Sequence, residues 1–383
     1  MKNLELYLHI PFCFKKCAYC DFLSFSCDEK TQIAYADALI REIEFYGPQM
    51  QEYTVSTIFV GGGTPTWLDA DKMAEILDAV YTYFNVSGDA EITMECNPGT
   101  VTMAKLETYR RAGVNRLSIG LQSADDEKLQ ILGRIHTFEK FVKTYEMARN
   151  AGFANINVDL MSGIPYQTTE KFLHTLQKVV RLRPNHISAY SLIIEKGTPF
   201  YDAYKFDLVL QEAGKPTEVL PSEDEVYRIT KLTQQYLAQA GYEQYEISNF
   251  AQPGFECVHN IGYWTRENYL GMGLGAASLL ENVRYTNTSD LHAYLDGELR
   301  VEELPISRKG QMEEFMFLGL RMNHGVTRQQ FQDTFGIPIE GIYRDALEHL
   351  KAEGLLEVNA GRIALTEKGQ DLSNYALAQF LLQ

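Results

Sequence analysis

The sequence predicts an α/β protein: a partial (βα)6 barrel of the TIM type, followed by a smaller C-terminal α+β domain with a winged-helix-like layout. Strand-like and helix-like runs alternate through the first part of the chain, and polar residues suited to binding follow the strands at their carboxyl ends. The alternation stops after about residue 245. We therefore expect a barrel domain at 1–245 and a second domain at 246–383.

Six runs with strand character occur in this first part, and each precedes an amphipathic run with helical character. The predicted strands are 4–10, 55–60, 90–95, 115–121, 154–160 and 186–192. The predicted helices are 30–46, 68–84, 102–112, 137–151, 168–182 and 222–240. Six βα units in series predict parallel strands with right-handed crossovers, in either a doubly wound sheet or a partial barrel.

The positions of the polar residues favour the barrel. A cysteine-rich loop follows the first strand, and the glycines 61–63 follow the second. Glu95 ends the third strand, Gln122 follows the fourth, and Asp159 lies near the end of the fifth. A barrel gathers the carboxyl ends of all its strands around one mouth, where such proteins hold their active sites.

The C-terminal part of the chain has a different pattern. Helices are predicted at 311–322 and 341–353, and a small hairpin is predicted at 354–369. Winged helices often bind DNA, but residues 311–383 contain ten acidic and six basic side chains. This acidic excess favours a docking or lid role.

Composition excludes several classes of function. The 383 residues carry 35 basic and 51 acidic side chains, a formal net charge of −16, which disfavours nucleic-acid binding. No apolar run is long enough to span a membrane, and the amino terminus has no signal-peptide layout. We therefore expect a cytoplasmic protein with reduced thiols and no disulfides.

The strongest chemical signal is the spacing of Cys13, Cys17 and Cys20 after the first strand. Three close thiolates suit an iron–sulfur cluster, and they leave one iron free to bind another ligand. Two alternatives stay open. The cysteines could lie on one face of a helix as inert thiols, or they could bind zinc with Cys27 or His9 as the fourth ligand.

Other candidate ligands lie on the loops that follow the strands. The three glycines at 61–63 allow a ligand to approach the backbone closely, and no phosphate-binding motif follows them. Glu95, Gln122 and Asp159 offer acceptors for ribose hydroxyls or an ammonium group. Arg134 could bind a carboxylate through its guanidinium, although it could equally be a solvated surface residue.

A second distinctive segment lies at 259–276. His259, Tyr263 and Trp264 combine an imidazole with aromatic rings, a combination that suits a flat apolar macrocycle, although a lone histidine is more often structural. The glycines at Gly271 and Gly273 imitate a dinucleotide-binding fingerprint. No βαβ pattern surrounds them, so we do not assign that role.

These motifs resemble those of the radical S-adenosylmethionine (SAM) superfamily and, within it, of the HemN/HemW group. The resemblance covers nearly the whole chain. It lies in the cysteine motif and in the segments Tyr-x-His-Ile-Pro-Phe-Cys at 7–13, Gly-Gly-Gly-Thr-Pro at 61–65, Gly-Leu-Gln-Ser at 120–123, Asp-Leu-x-x-Gly-Ile-Pro at 159–165 and His-Asn-x-x-Tyr-Trp at 259–264.

The resemblance implies a [4Fe-4S] cluster on Cys13, Cys17 and Cys20, whose open iron would chelate the methionine part of SAM. A reduced cluster would then cleave SAM reductively. The residues that match the family's SAM contacts are Tyr7, Gly62, Gly63, Thr64, Glu95, Gln122, Arg134 and Asp159.

One position separates the branches of the group. The porphyrinogen oxidases carry a further cysteine two residues after the third, where this chain has Phe22. The resemblance therefore implies the HemW-like branch of haem chaperones in porphyrin metabolism, with the oxidative decarboxylation of coproporphyrinogen III as the alternative. The haem neighbours implied are His259, Tyr263 and Trp264. The expected partners are haem and haem-acceptor proteins, such as membrane-associated respiratory ones, and a homodimer is one open oligomeric state.

Overall fold

The computed structural model describes residues 1–359 and 361–382, and it confirms the predicted α/β fold class. The strands are β1 Lys2–Ile10, β2 Tyr53–Gly62, β3 Val86–Cys96, β4 Arg116–Gln122, β5 Asn155–Ser162, β6 His186–Ser191, β7 Glu243–Gln244, β8 Asn249–Ala251, β9 Tyr269–Met272, β10 Ala277–Leu280, β11 Val283–Asn287, β12 Arg300–Pro305, β13 Val326–Thr327, β14 Leu356–Val358 and β15 Arg362–Leu365.

The α-helices alternate with the strands through the first half of the chain. They are α1 Glu29–Tyr46, α2 Ala70–Tyr83, α3 Met103–Arg111, α4 Asp126–Ile131, α5 Phe138–Asn150, α6 Thr169–Leu182, α7 Pro199–Glu212, α8 Glu223–Gln239, α9 Val258–Thr265, α10 Leu291–Leu295, α11 Arg308–Gly319, α12 Arg328–Phe335, α13 Glu340–Ala352, α14 Glu367–Asp371 and α15 Ser373–Ala378. No described helix has the length and apolar character that a bilayer-spanning segment needs.

Strands β1 to β6 pair in sequence order and run parallel, as the six βα units predict. The helices that follow the strands begin where the sequence places a capping residue. Asp28 caps α1, and Thr102, Thr137 and Thr168 cap α3, α5 and α6, each by accepting a bond from a backbone N–H of the first turn. Local sequence thus fixes the point at which each loop at the barrel mouth ends.

The sheet continues beyond the barrel strands at both edges. The order is β12-β11-β10-β9-β1-β2-β3-β4-β5-β6-β8-β7, so the segment after residue 245 adds strands on either side of the six. Strand β9 pairs with β1 in parallel, and β10 to β12 are antiparallel. Gly271 and Gly273 lie in and just after β9, in a connection between two strands, and so they are not a dinucleotide-binding turn.

Three apolar cores lie in the described part of the chain. The first fills the barrel sheet and its helices, and the second joins residues from Met312 to Phe380 around the three-stranded sheet β13-β15-β14. The third is small, and residues such as Phe200 pack there against Tyr19 of the cysteine-rich loop. The hairpin predicted at 354–369 is present as β14 and β15, with residue 360 outside the described residues. The domain division near 245 stays a prediction, and the core that begins at Met312 indicates residue 306 as a second place to test it.

Candidate functional site

The cysteine loop connects β1 to α1 and is fastened to the end of β1. The N–H of Cys13 donates to the carbonyl of Phe25 (2.9 Å), and the N–H of Phe25 donates to that of Pro11 (2.9 Å). The imidazole of His9 donates through Nε2 to the carbonyl of Leu23 (2.9 Å). The loop, all of which the structure describes, contains no helix, so the alternative of inert thiols on one helical face is wrong.

The three cysteines of this loop are free thiols with different surroundings. Cys13 is buried, with its Sγ 3.5 Å from the hydroxyl of Thr64, and Cys17 Sγ lies 3.7 Å from a guanidinium nitrogen of Arg134. Burial raises the pKa of the Cys13 and Cys20 thiols. Three thiols on one loop, with a hydroxyl and a guanidinium beside them, fit a cluster with three thiolate ligands.

A single metal ion would need a tighter arrangement. Among the described residues, no three His, Cys, Asp or Glu side chains are grouped so that they could hold one ion. Of the two candidates for a fourth zinc ligand, His9 already has both ring nitrogens in hydrogen bonds, because the Tyr7 hydroxyl donates to its Nδ1 (3.0 Å).

The glycine loop packs directly on the cysteine loop. Gly63 N–H donates to Ile10 O (2.9 Å), and Thr64 N–H donates to Phe12 O (2.7 Å). A Cβ on Gly63 would lie 2.8 Å from the Phe12 carbonyl oxygen, and Gly62 has a positive φ of 116°. The contact between the two loops therefore requires at least two of the three glycines, whether or not a ligand approaches them.

A chain of polar contacts links Thr64 to Arg134 across the mouth. The Asn97 amide donates to the Thr64 hydroxyl (2.7 Å), and the Arg134 guanidinium donates to Asn97 Oδ1 (2.7 Å) and to Gly120 O (2.5 Å). Sequence reasoning missed Asn97. Its position two residues after Glu95, at the end of β3, could have identified it.

Tyr7, Glu95, Gln122 and Asp159 lie on neighbouring strands around the barrel interior. Glu95 accepts a bond from Gly62 N–H (3.1 Å), and Gln122 accepts one from the Tyr190 hydroxyl (2.8 Å). Burial and then the nearby Asp159 raise the pKa of Glu95 to about 8. The site can thus present Glu95 as a neutral carboxyl or, beside a cationic group, as a carboxylate.

The hydrogen bonds that orient Asp159 come from the barrel interior and not from the loops of the mouth. Its carboxylate accepts bonds from the Asn157 amide (2.7 Å) and the Ser118 hydroxyl (3.2 Å). Both partners precede the mouth residues on their strands, so they fix one side of this carboxylate from inside the barrel. Burial raises the pKa of Asp159.

The His-Asn-x-x-Tyr-Trp segment forms α9, and its histidine is buried inside the barrel. His259 is 1% exposed, and its ring nitrogens bond to the Thr57 hydroxyl (2.7 Å) and the Tyr263 hydroxyl (3.0 Å). Phe59 stacks on the imidazole with 5.2 Å between ring centroids and also stacks on Tyr7 at 6.3 Å. Phe59 therefore connects His259 to Tyr7, one of the predicted SAM contacts.

Two carboxylates surround the start of α9. Glu91 on β3 accepts bonds from the N–H groups of Val258 and His259 (both 3.2 Å), and it thereby caps the helix. Glu5 on β1 is 1% exposed and packs against Gly262, where any Cβ would collide with its carboxylate. Burial raises the pKa of Glu5 to about 9 and lowers that of His259 to about 3. Both side chains are therefore neutral near pH 7.

Trp264 lies at the rim of this region. Its ring is partly buried and stacks under the guanidinium of Arg321 at 4.3 Å. The indole N–H is buried without a hydrogen-bond partner in the described structure. His259, Tyr263 and Trp264 are thus close in sequence but differ in surroundings.

The chain matches two protein-family models. Residues 7–179 match the radical SAM superfamily, and residues 306–372 match the HemN C-terminal domain. Curated relatives named "Heme chaperone HemW" match over nearly the full length. The one from Lactococcus lactis is 36% identical over 100% of this chain and 98% of its own, and the one from Escherichia coli is 36% identical over 99% and 98%.

Among solved structures, the coproporphyrinogen III oxidase HemN from Escherichia coli, described as a radical SAM enzyme, has a similar fold. It superposes with a TM-score of 0.85 at 26% sequence identity, covering 99% of this chain and 90% of that one. The comparison confirms the predicted partial barrel with its smaller C-terminal domain.

Proposed function

Because the chain belongs to the HemW family within the radical SAM superfamily, we propose that it is a haem chaperone, which binds haem and transfers it to an acceptor protein. The observation that carries this proposal is the match over the full length to relatives of that name, at 34–36% identity in three of them. The match to the coproporphyrinogen III oxidase structure is weaker in sequence, at 26% identity. Phe22, at the position of the oxidases' further cysteine, also favours the chaperone.

Membership of the radical SAM superfamily implies a [4Fe-4S] cluster and SAM. We propose that Cys13, Cys17 and Cys20 hold the cluster. A bound, reduced cluster would supply the electron for reductive cleavage of SAM. Thr64 and Arg134 would act on the thiolates, because a hydroxyl and a guanidinium beside sulfur stabilise its negative charge.

The proposed SAM site is made by the surrounding loops. Gly62, Gly63 and Thr64 bring the backbone close to the cysteine loop, and Tyr7 and Gln122 are held in place by their hydrogen bonds to neighbouring side chains. A guanidinium suits the methionine carboxylate, and this would be the role of Arg134.

Two carboxyl groups complete the proposed site. Glu95 and Asp159 would accept bonds from the ribose hydroxyls or the ammonium group of SAM. Each already accepts hydrogen bonds that restrict its orientation, so neither needs to be ordered on binding.

The haem role predicted for His259, Tyr263 and Trp264 stays a prediction. For His259 to bind the haem iron, it would have to give up its bond to Thr57 or to Tyr263 and leave a barrel interior in which it is 1% exposed. Breaking such buried hydrogen bonds costs about 1–3 kcal/mol for each group left unpaired.

Anaerobic reconstitution of the full chain, with iron and haem measured on one sample, tests the proposal. We expect about four non-haem irons and at least one haem for each chain, and transfer of that haem to an apo-acceptor. A reconstituted chain that binds no haem would refute the chaperone function. Conversion of coproporphyrinogen III to protoporphyrinogen in the presence of SAM would establish the oxidase instead.

A further inference from the structure

A cavity of about 500 Å³ lies on the outer side of α1, away from the barrel mouth. Its walls come from the second half of α1 and from the segment that runs from α10 to the start of β12. The side chains that matter here are Arg41, Phe45, Tyr46, Tyr294, Leu299 and Arg300. A volume of this size lies within the range of sites that bind cofactors, about 300–1,000 Å³.

Two arginines stand at this cavity in a chain whose net charge is −16. Arg300 donates through Nε to the Tyr46 hydroxyl (3.0 Å), and its guanidinium lies over the rings of Tyr285 (3.8 Å) and Tyr46 (5.2 Å). Arg41 donates one bond, to the carbonyl of Leu295 (3.1 Å). Arg300 also lies 4.0 Å from the carboxylate of Glu303 through Nη1. A guanidinium has five N–H donors, and these contacts leave donors on both arginines for an anionic ligand.

The rest of the wall is largely apolar. Phe45 is 58% exposed, and Leu299 and the tyrosine rings line the same cavity. The one carboxylate of the wall, Glu42, is buried and accepts bonds from Tyr294 (2.7 Å), Asn287 (2.6 Å) and the backbone N–H of Gly273 (2.8 Å). Three hydrogen-bond donors therefore already stabilise the Glu42 carboxylate.

Other cavities of similar size lack this combination. The one beside α2 and α3 sets Asp71, Glu75 and Asp78 against a single basic side chain, Arg111. The one between α5 and α6 sets four acidic side chains against two lysines. Of these three cavities, the α1 cavity alone joins an apolar wall to more basic than acidic side chains.

We propose that the α1 cavity is the haem-binding site, with the porphyrin against the apolar wall and the propionates on Arg41 and Arg300. This inference rests on the proposed function, because haem is the flat, apolar, doubly carboxylated ligand of a haem chaperone. The described wall contains no histidine, cysteine or methionine to bind the iron strongly. A site that holds its cargo by the porphyrin and the carboxylates can release it to an acceptor that offers a stronger iron ligand.

The test is haem titration of the reconstituted full chain, comparing the wild type with the double variant Arg41→Gln/Arg300→Gln. Loss of two charge-assisted hydrogen bonds is expected to weaken haem binding about tenfold or more. The matched control is Arg111→Gln/Arg344→Gln, which removes two exposed arginines elsewhere and leaves the affinity unchanged. Thermal unfolding and iron content verify that each variant is folded, and Arg41→Lys/Arg300→Lys retains most of the affinity.

Haemin dimethyl ester, which lacks the free carboxylates, distinguishes the role of the propionates. It should bind the wild type as weakly as haem binds the glutamine variant. If the wild type binds haem and the folded glutamine variant binds it equally well, the α1 cavity is not the site, while the chaperone function stands. If the wild type binds no haem, the proposed function itself fails.

Discussion

Substitution of Gly63 by alanine tests the geometry that joins the glycine loop to the cysteine loop. A Cβ at this position would lie 2.8 Å from the carbonyl oxygen, 2.9 Å from the nitrogen and 3.0 Å from the carbonyl carbon of Phe12. All three are backbone atoms, so no side-chain rotation relieves the contact. The two loops must separate, and overpacking of this kind costs about 1–3 kcal/mol.

Separation of the loops also removes the contacts that surround the proposed cluster. The backbone bond from Thr64 to Phe12 (2.7 Å) is lost, and with it the position of the Thr64 hydroxyl beside Cys13. We therefore expect Gly63→Ala to lower both the midpoint of thermal unfolding and the iron retained after anaerobic reconstitution. Iron is measured by a chelator assay and by the visible absorbance of the cluster.

Gly88→Ala is the matched control, because a Cβ there meets nothing within 4 Å and its φ is ordinary. It should leave unfolding and iron content unchanged. A Gly63→Ala protein that retains the wild-type iron content and thermal midpoint would refute the reasoning, since it would show that the loops can separate without cost.

Three further predictions concern the inside of the barrel. The folded Glu5 keeps its proton up to about pH 9, whereas the unfolded side chain loses it near pH 4.5. Between these values the wild type should therefore lose up to about 1.4 kcal/mol of unfolding free energy per pH unit. Glu5→Gln should flatten this slope in urea unfolding at a series of pH values. Asn97→Ala frees Arg134 and should weaken SAM binding about fivefold in anaerobic calorimetry, and normal affinity would contradict its role. His259→Ala should lower the unfolding free energy by about 2–4 kcal/mol and leave haem affinity within about twofold, whereas a tenfold loss of haem binding in a folded variant would support His259 as a haem ligand.

The barrel could be predicted from the sequence because its signals are local. Each of the six strands is an apolar run of ordinary strand length, and each of the following helices begins at an Asp or Thr cap or ends at a turn. The predicted bounds of these elements, such as 186–192 for β6 and 168–182 for α6, differ from the observed ones by at most four residues. The mouth residues followed from the same logic, since they lie at strand ends.

Strands β7 to β13 were not predicted, unlike the hairpin of β14 and β15, because their pattern depends on tertiary contacts. The edge strand β12 is exposed at all six positions, and β9 has four residues, so neither carries a hydrophobic alternation that the sequence could reveal. No pattern in the sequence indicates that His259 is buried. Its motif has the composition of a ligand site, and only the packing of α9 against β1, β2 and β3 shows that its partners are Thr57 and Tyr263.

Helix α1 connects the proposed haem cavity to the cysteine loop. It begins directly after that loop, and near its start the Tyr35 hydroxyl donates to the carbonyl of His9 (2.6 Å), the residue that fastens the loop. The Tyr35 ring lies 5.2 Å from that of Tyr294, which lines the cavity, and Glu42 on the same helix binds Tyr294. A displacement of the loop on cluster binding would therefore reach the cavity through α1 and these two tyrosines.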